Sequence, residues 1–248
     1  MKTRIKFTKS GPLKFVGHLD VMRFFQKAFR RAEIDVEFSR GFSPHQIISF
    51  AAPLGVGLTS DGEYVDVQIT TCDDRETMIE RLNAVMPEYI RAVDFKILAD
   101  DSKNAMSIVA AADYMVSIRD GYDFMDKDKF EKMFAQFLEQ DTIEILKKSK
   151  KTETELDIKP FIYEHSLVPF ANVLSESVAD KYENDTKVYL MLATGSVNNI
   201  KSELVMEAFC KFAGIEYNEF IFQVHRIDVY ANLGTENERN LVPLNRIS

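Results

Sequence analysis

Residues 64–98, YVDVQITTCDDRETMIERLNAVMPEYIRAVDFKIL, decide how this chain folds. Tyr64-Val65-Asp66-Val67-Gln68-Ile69 alternates in polarity, so residues 64–70 read as a half-buried strand. Asp73 or Asp74 then caps a helix over residues 75–85, with Met78, Leu82 and Val85 inward. Pro87 stops that helix, and residues 90–98 return as a strand. Toward the N-terminus, residues 4–15 read as a strand broken by the turn Ser10-Gly11-Pro12. Residues 19–32 are an amphipathic helix, with Leu19, Met22, Phe25, Phe29 and Ala32 on one face. Arg23, Lys27, Arg30 and Arg31 fall opposite. Residues 35–39 and 46–52 are β-prone and joined by a loop around Gly41. The order β-α-β-β-α-β predicts an α+β, ferredoxin-like (split β-α-β) domain over residues 1–100, with two helices on one face of an antiparallel sheet.

The stretch 99–112 carries charge and then small residues, and a domain boundary is expected there. The same rhythm follows: a strand at 114–118, a helix at 127–139 (Phe130, Met133, Phe134, Phe137), and strands at 142–146 and 155–158. Further on come a strand at 188–193, a helix at 200–212 and a strand at 220–230. A second ferredoxin-like domain over residues 112–233 is therefore expected, enlarged by an insertion near 160–186. Residues 234–248 read as a polar, loosely held tail.

A chain of 248 residues has room for one large or two ordinary domains. Its 46% hydrophobic and 28% charged content is that of a globular protein. No stretch approaches the roughly 18 apolar residues of a membrane span. The N-terminal MKTRIKFTKSGP lacks the apolar run of a signal peptide, so a soluble, cytoplasmic protein with no membrane partner is expected. Cys72 and Cys210 are too few to hold an iron–sulfur cluster or structural zinc alone, and both are expected to be reduced. His18, His45, His165 and His225 form no i, i+4 pair, so no metal and no cofactor are expected.

Charge is unevenly spread. The chain carries net −8, yet residues 1–50 hold ten Lys+Arg against four Asp+Glu, a net of +6 that leaves −14 for the rest. An acidic protein that gathers its cations into one segment presents that segment to something anionic. The basic helix face, with Arg4, Lys6, Lys9 and Lys14 before it, suits phosphate contacts, against the bland reading of a solvated face. His18 beside Asp20 suits acid–base work, but no nucleophile is in view and packing is the favoured reading. In Ser39-Arg40-Gly41-Phe42-Ser43-Pro44-His45, Arg40, Phe42 and His45 suit a nucleotide, with charge for phosphate and a ring for stacking. Composition alone favours a strand connection there, with Phe42 tucked into the core. Gly55-Val56-Gly57 with Gly62 fails the dinucleotide spacing and reads as a link into the Tyr64 strand. The run KKSKK at 147–151, with Lys159, reads as a solvated turn or an extension of the anionic footprint. Ser196 or Asn198 reads as an ordinary N-cap.

The blocks Gly11-Pro12-Leu13-Lys14-Phe15-Val16-Gly17-His18-Leu19-Asp20, Arg30-Arg31-Ala32, Ser39 to His45, Ser49-Phe50, Leu54-Gly55 and Glu63-Tyr64 carry a resemblance. They are similar to the radical SAM-linked protein family, a bacterial domain of unknown function. The likeness is densest over residues 4–98 and continues through Lys150-Lys151, residues 157–160 and residues 199–201. The chain departs from the usual pattern at Gly17, where Ser is common, and at Ser43 and Gln46, where Asn and Pro are common. The resemblance implies a companion to a separate radical SAM (B12-binding-type) protein, in RNA modification. Without three closely spaced cysteines the chain is not the radical enzyme itself. The leading expectation is a non-catalytic adaptor that binds RNA or another anionic partner through Arg23, Lys27, Arg30, Arg31, Arg40, Phe42 and His45. One alternative is a metal-independent endoribonuclease using His18 or His45 as general acid–base. Another is a purely structural protein-interaction module.

Overall fold

The structure, a computed structural model, describes residues 1–122, 124–148, 153–167, 186–196 and 198–247. It is mixed α+β, with mostly antiparallel strands and, among the described residues, five α-helices. The chain forms two compact units, Met1–Ala111 together with Asp228–Ser248, and Ala112–Ile227.

The first unit runs β1 (Lys2–Lys9), a 3-10 turn (Gly11–Phe15), α1 (His18–Arg31), β2 (Ile48–Phe50), β3 (Thr59–Gln68), α2 (Arg75–Val85), β4 (Ile90–Ile97) and α3 (Ala105–Ile108). β1 pairs antiparallel with both β3 and β4, and β2 pairs antiparallel with β3. The strand order is thus β4-β1-β3-β2. α2 begins where Asp74 accepts from the Thr77 backbone N–H at 3.0 Å and from the Thr77 hydroxyl at 2.7 Å, which selects Asp74 over Asp73 as the cap. Those bonds lower the Asp74 pKa. The residues expected as strand at 13–15 are instead part of the 3-10 turn. Gly11 has φ +53, and a Cβ there would meet the Tyr89 ring at 2.4 Å. Pro12 then has no N–H to extend a ladder.

Alternation along the strands divides the sheet into two faces. Ile5 and Phe7 of β1, Val65 and Val67 of β3, and Phe95 of β4 form one core with Val21, Phe25, Ala28 and Phe29 of α1 and Met78 and Leu82 of α2. The Phe25 ring lies 4.6 Å from Phe7 and 5.6 Å from Phe50. Leu19, expected on this face, is 61% exposed. At 100° per residue it points about 200° round the helix from Val21.

The opposite face is polar and filled. Arg4, 2% exposed, donates through Nε to Asp66 Oδ1 at 2.8 Å and through Nη2 to Asp66 Oδ2 at 3.0 Å. Asp66 Oδ2 also accepts from the Ala105 N–H of α3 at 2.7 Å. Arg4 Nη1 donates to the Leu244 carbonyl at 3.1 Å and Nη2 to that of Lys103 at 3.3 Å. Beside them, Lys6 and the Tyr64 hydroxyl both donate to Asp228 at 2.6 Å. Burial, and then the Asp228 charge, push the Tyr64 pKa far up and keep it a donor. Asn245 donates to Asp94 at 2.9 Å, and Arg75 donates to the other oxygen of Asp94 at 2.8 Å. The segment expected as a loose tail therefore closes this face. It forms β11 (Leu241–Pro243) and a 3-10 turn (Leu244–Arg246), and Leu244 is fully buried. Polar composition hid this because the face it covers is itself polar.

The second unit runs β5 (Val109–Ile118), α4 (Lys127–Glu139), a hairpin of β6 (Glu144–Lys148) and β7 (Glu153–Asp157), β8 (Ile162–Ser166), β9 (Lys187–Ala193), α5 (Ser202–Ala213) and β10 (Phe222–Asn232), whose residues from Asp228 on belong to the first unit. β8 pairs antiparallel with β9, and the order is β10-β5-β9-β8. Numbered along the chain, the four sheet strands of each unit therefore share one spatial order, 4-1-3-2. The strand expected at 142–146 joins the separate hairpin instead, and the sheet strand is β8, inside the stretch read as an insertion. The core pairs Phe130, Phe134 and Phe137 of α4 with Phe209 of α5. Cys210 is buried, and burial pushes its thiol up to about 11. α5 starts at Ser202 behind Lys201, so neither Ser196 nor Asn198 is its cap.

Breaking the Arg4–Asp66 pair from one side strands a buried guanidinium. Asp66→Ala is expected to cost about 3–5 kcal/mol of stability in urea melts. Asp66→Leu with Arg4→Met is expected to recover part of that and not all, because the carbonyls of Leu244 and Lys103 and the Ala105 N–H lose their partners. A cost for Asp66→Ala below 1 kcal/mol, on the scale of an exposed pair, would show that the pair is not structural.

Candidate nucleic-acid interface

α1, from its second turn to its last, and the loop that follows it bring most of the sequence-selected residues to the surface of the first unit. Arg23, Lys27, Arg30 and Arg31 are all exposed along α1. Arg23 bonds Asp20 one turn earlier at 3.2 Å, an exposed pair of little energetic weight. Lys27, Arg30, Arg31 and Arg40 have no carboxylate partner among the described residues.

The four cations grouped with them on sequence divide differently. Arg4 is buried on Asp66, and Lys6 is paired with Asp228. Lys9 is 2% exposed and donates to the Val16 carbonyl at 2.8 Å. Lys14 lies with its ammonium 5.2 Å from the Phe15 ring centroid. Strand parity explains the loss: β1 is buried on both faces, so its cations serve the fold.

The loop from Ser39 to His45 is closed by hydrogen bonds at its base. The Ser39 N–H donates to the His45 carbonyl at 2.8 Å, and the His45 N–H donates to Ser39 Oγ at 3.1 Å. Ser39 Oγ also lies 2.9 Å from His45 Nδ1. Phe38 and Gln46 bridge just outside, and the Gln46 amide donates to the Gln26 carbonyl of α1 at 3.4 Å. Gly41, at φ +116, turns the tip where an L side chain would be strained. Phe42, expected in the core, is fully exposed, and Arg40 and His45 are exposed with it. The core has no vacancy for this ring: Phe7, Phe25, Phe29 and Phe50 already fill the space between sheet and helix.

His18, the first residue of α1, packs its ring edge-on to Phe50 at 5.1 Å. Burial lowers its pKa, Glu63 opposes that, and Lys9 reinforces it. No hydrogen bond or ring contact joins His18 to His45 among the described residues. Lys159 is turned to the Leu138 and Gln140 carbonyls, and Lys150 and Lys151 lie outside the described residues. No group of three metal-ligating side chains occurs among the described residues, and no helix there is long and apolar enough to cross a membrane.

Sequence reasoning missed a cavity of about 360 Å³ at the base of the loop, lined by Ser39, His45, Gln46 and residues of β1, β2, β3 and the approach to α3. The only signal for it was the Ser39/His45 spacing around a Gly and a Pro.

The model of a family described as an uncharacterized protein conserved in bacteria (DUF2344) matches residues 2–202. No curated protein matches the chain. Among solved structures it is similar to a chain in the crystal structure of a Cbf5–Nop10–Gar1 complex, at 11% identity and a TM-score of 0.44. That match covers 92% of this chain and 48% of the other, so this chain spans about half the length of its structural neighbour.

Because burial lowers the His18 pKa, the unfolded state binds more protons than the folded state once pH falls below the ordinary value near 6.5. His18 therefore contributes stability that is intact above that pH and is lost as pH falls through the window beneath it. Between pH 7.5 and 5.5 the stability of the wild type is expected to fall more steeply than that of His18→Gln. Parallel stability–pH curves for the two proteins would remove His18 from the account.

Proposed function

As the chain belongs to this uncharacterized family conserved in bacteria, we propose that it is an RNA-binding accessory protein: the first unit holds single-stranded RNA and presents it to a separate radical SAM enzyme. We read each unit as a split β-α-β, ferredoxin-like module, on the strand order they share. The observation that carries the RNA reading is Phe42, fully exposed on a loop pinned by Ser39 and His45, two residues from exposed Arg40 and in the same unit as the exposed cations of α1. A large ring held in water costs free energy that a stacked base would recover, and Arg and Lys beside it suit the phosphates on either side. The rest of the chain is acidic, which disfavours general coating of a polyanion and supports a defined footprint. The radical SAM partnership is supported by the ordered sequence blocks of residues 4–98.

The test is anisotropy of labelled single-stranded RNA across a salt series. Phe42→Ala is expected to weaken binding by about 1–3 kcal/mol, the value of one stacked base. Arg30→Glu with Arg31→Glu is expected to flatten the log–log salt slope by about 0.7 for each phosphate contact removed. A wild type that ignores RNA at low salt, or variants that bind as well as it does, would sink the reading. Co-purification from native cells that recovers no radical SAM protein would remove that half of it.

A further inference from the structure

We infer that Phe38 is a second stacking ring, so that the first unit holds two bases of one single strand, one on Phe42 and one on Phe38, with the phosphates passing on to Arg30. The inference rests on the RNA reading above. Two antiparallel bridges place Phe38. Val36 pairs with Ile69 and Phe38 pairs with Gln46, so the segment is extended there and the side chains of residues 36 and 38 share one face. Val36 is buried in the core beneath α1, whereas Phe38 is 57% exposed. Gln46 identifies the same face independently. Residues directly opposite in such a pair hold their Cβ atoms about 4.5–5.5 Å apart on one side. The Gln46 amide donates to the Gln26 carbonyl of α1 at 3.4 Å. Phe38 therefore stands beside α1 at the level of Gln26.

The apolar alternation of Ile34 and Val36 continues to Phe38, but the helix surface it meets there is polar. Arg23 and Arg30 lie three residues before and four residues after Gln26, on one strip of α1, and both are exposed. Arg30 has no carboxylate partner among the described residues. Glu37, next to Phe38 in sequence, alternates to the opposite face and lies 3.6 Å from the N-terminal amine. Phe38 and Phe42 are four residues apart, so their Cα atoms are at most about 14 Å apart, a span that a few nucleotides cover. The Ser39–His45 bonds close the loop between the two rings' attachments and hold it in one shape. Two exposed rings beside unpaired arginines fit unpaired bases on a phosphate backbone, because a duplex keeps its base faces stacked inside. Every base has a π-face, so such a site selects single strands and is tolerant of sequence.

The chain contains no Trp, so Phe38→Trp and Phe42→Trp each introduce one indole whose emission reads stacking directly. Single-stranded oligouridine is expected to quench both variants over the same concentration range. Heparin, a polyanion without bases, is expected to displace the RNA and to quench neither. In anisotropy, Phe38→Leu is expected to weaken oligouridine binding about 5–150-fold, the worth of one stacked base, and Phe38→Tyr is expected to keep it. Thermal melts of the variants confirm folding. Emission of Phe38→Trp that stays unmoved while that of Phe42→Trp is quenched overturns the second ring and leaves the RNA surface standing. Wild-type affinity in Phe38→Leu, or equal quenching by heparin, overturns it as well. Failure of the wild type to bind oligouridine at low salt removes the RNA reading and this inference together.

Discussion

The first unit is organised around one buried ion pair. Arg4 and Asp66 stand opposite each other in the β1–β3 register, and their two parallel hydrogen bonds form where water is excluded. Taking both charges out of water is expensive, and only good geometry with every remaining donor and acceptor used makes it tolerable. The structure meets that demand by recruiting backbone from far along the chain: the Leu244 and Lys103 carbonyls for the guanidinium and the Ala105 N–H for the carboxylate. α3 and the C-terminal segment are held on the sheet by these bonds. Because the pair and its cover fill the middle of the outer face of the sheet, a ligand of this unit is left with the helix face, the loops or the part of the outer face beside β2. That is where the exposed cations, Phe42 and the cavity lie.

Periodicity made much of this architecture legible. Helices α1, α2, α4 and α5 each carry an apolar stripe and fall within a few residues of where that stripe puts them. What periodicity could not see was partnership across long separations. The residues after 233 look like solvent-exposed chain, because Asn245 and its neighbours satisfy a polar surface and contribute little apolar area. β8 was invisible for a related reason: its five residues, IYEHS, are only partly buried at the edge of the sheet and show no clean alternation. Leu19 was misplaced because the buried stripe runs through Val21, Phe25, Ala28 and Phe29, and Leu19 points about 200° away from Val21.

The site was legible as composition and not as geometry. Arg40, Phe42 and His45 stood out because Gly41 and Pro44 mark a loop, and the cations of α1 because they recur at helical spacing. Charge counting overstated the surface, however, since Arg4, Lys6 and Lys9 neutralise or satisfy buried groups. It also undervalued Phe42, because a ring's destination depends on whether the core has room for it. The cavity is assembled from segments separated by more than half of the first hundred residues, and no local pattern announces such a site.

Arg4 and Leu244 are 240 positions apart, yet one hydrogen bond joins them. During synthesis Arg4 leaves the ribosome 240 residues before its Leu244 partner. Up to then the guanidinium, Asp66 and Asp228's future partners Lys6 and Tyr64 remain open to water. The second unit, contained wholly between the two parts of the first, can complete itself sooner. Synthesis order and closing order of the two units are therefore inverted: the unit started first is sealed after the one nested within it, and until Leu244 is made its charged sheet face lacks part of its cover.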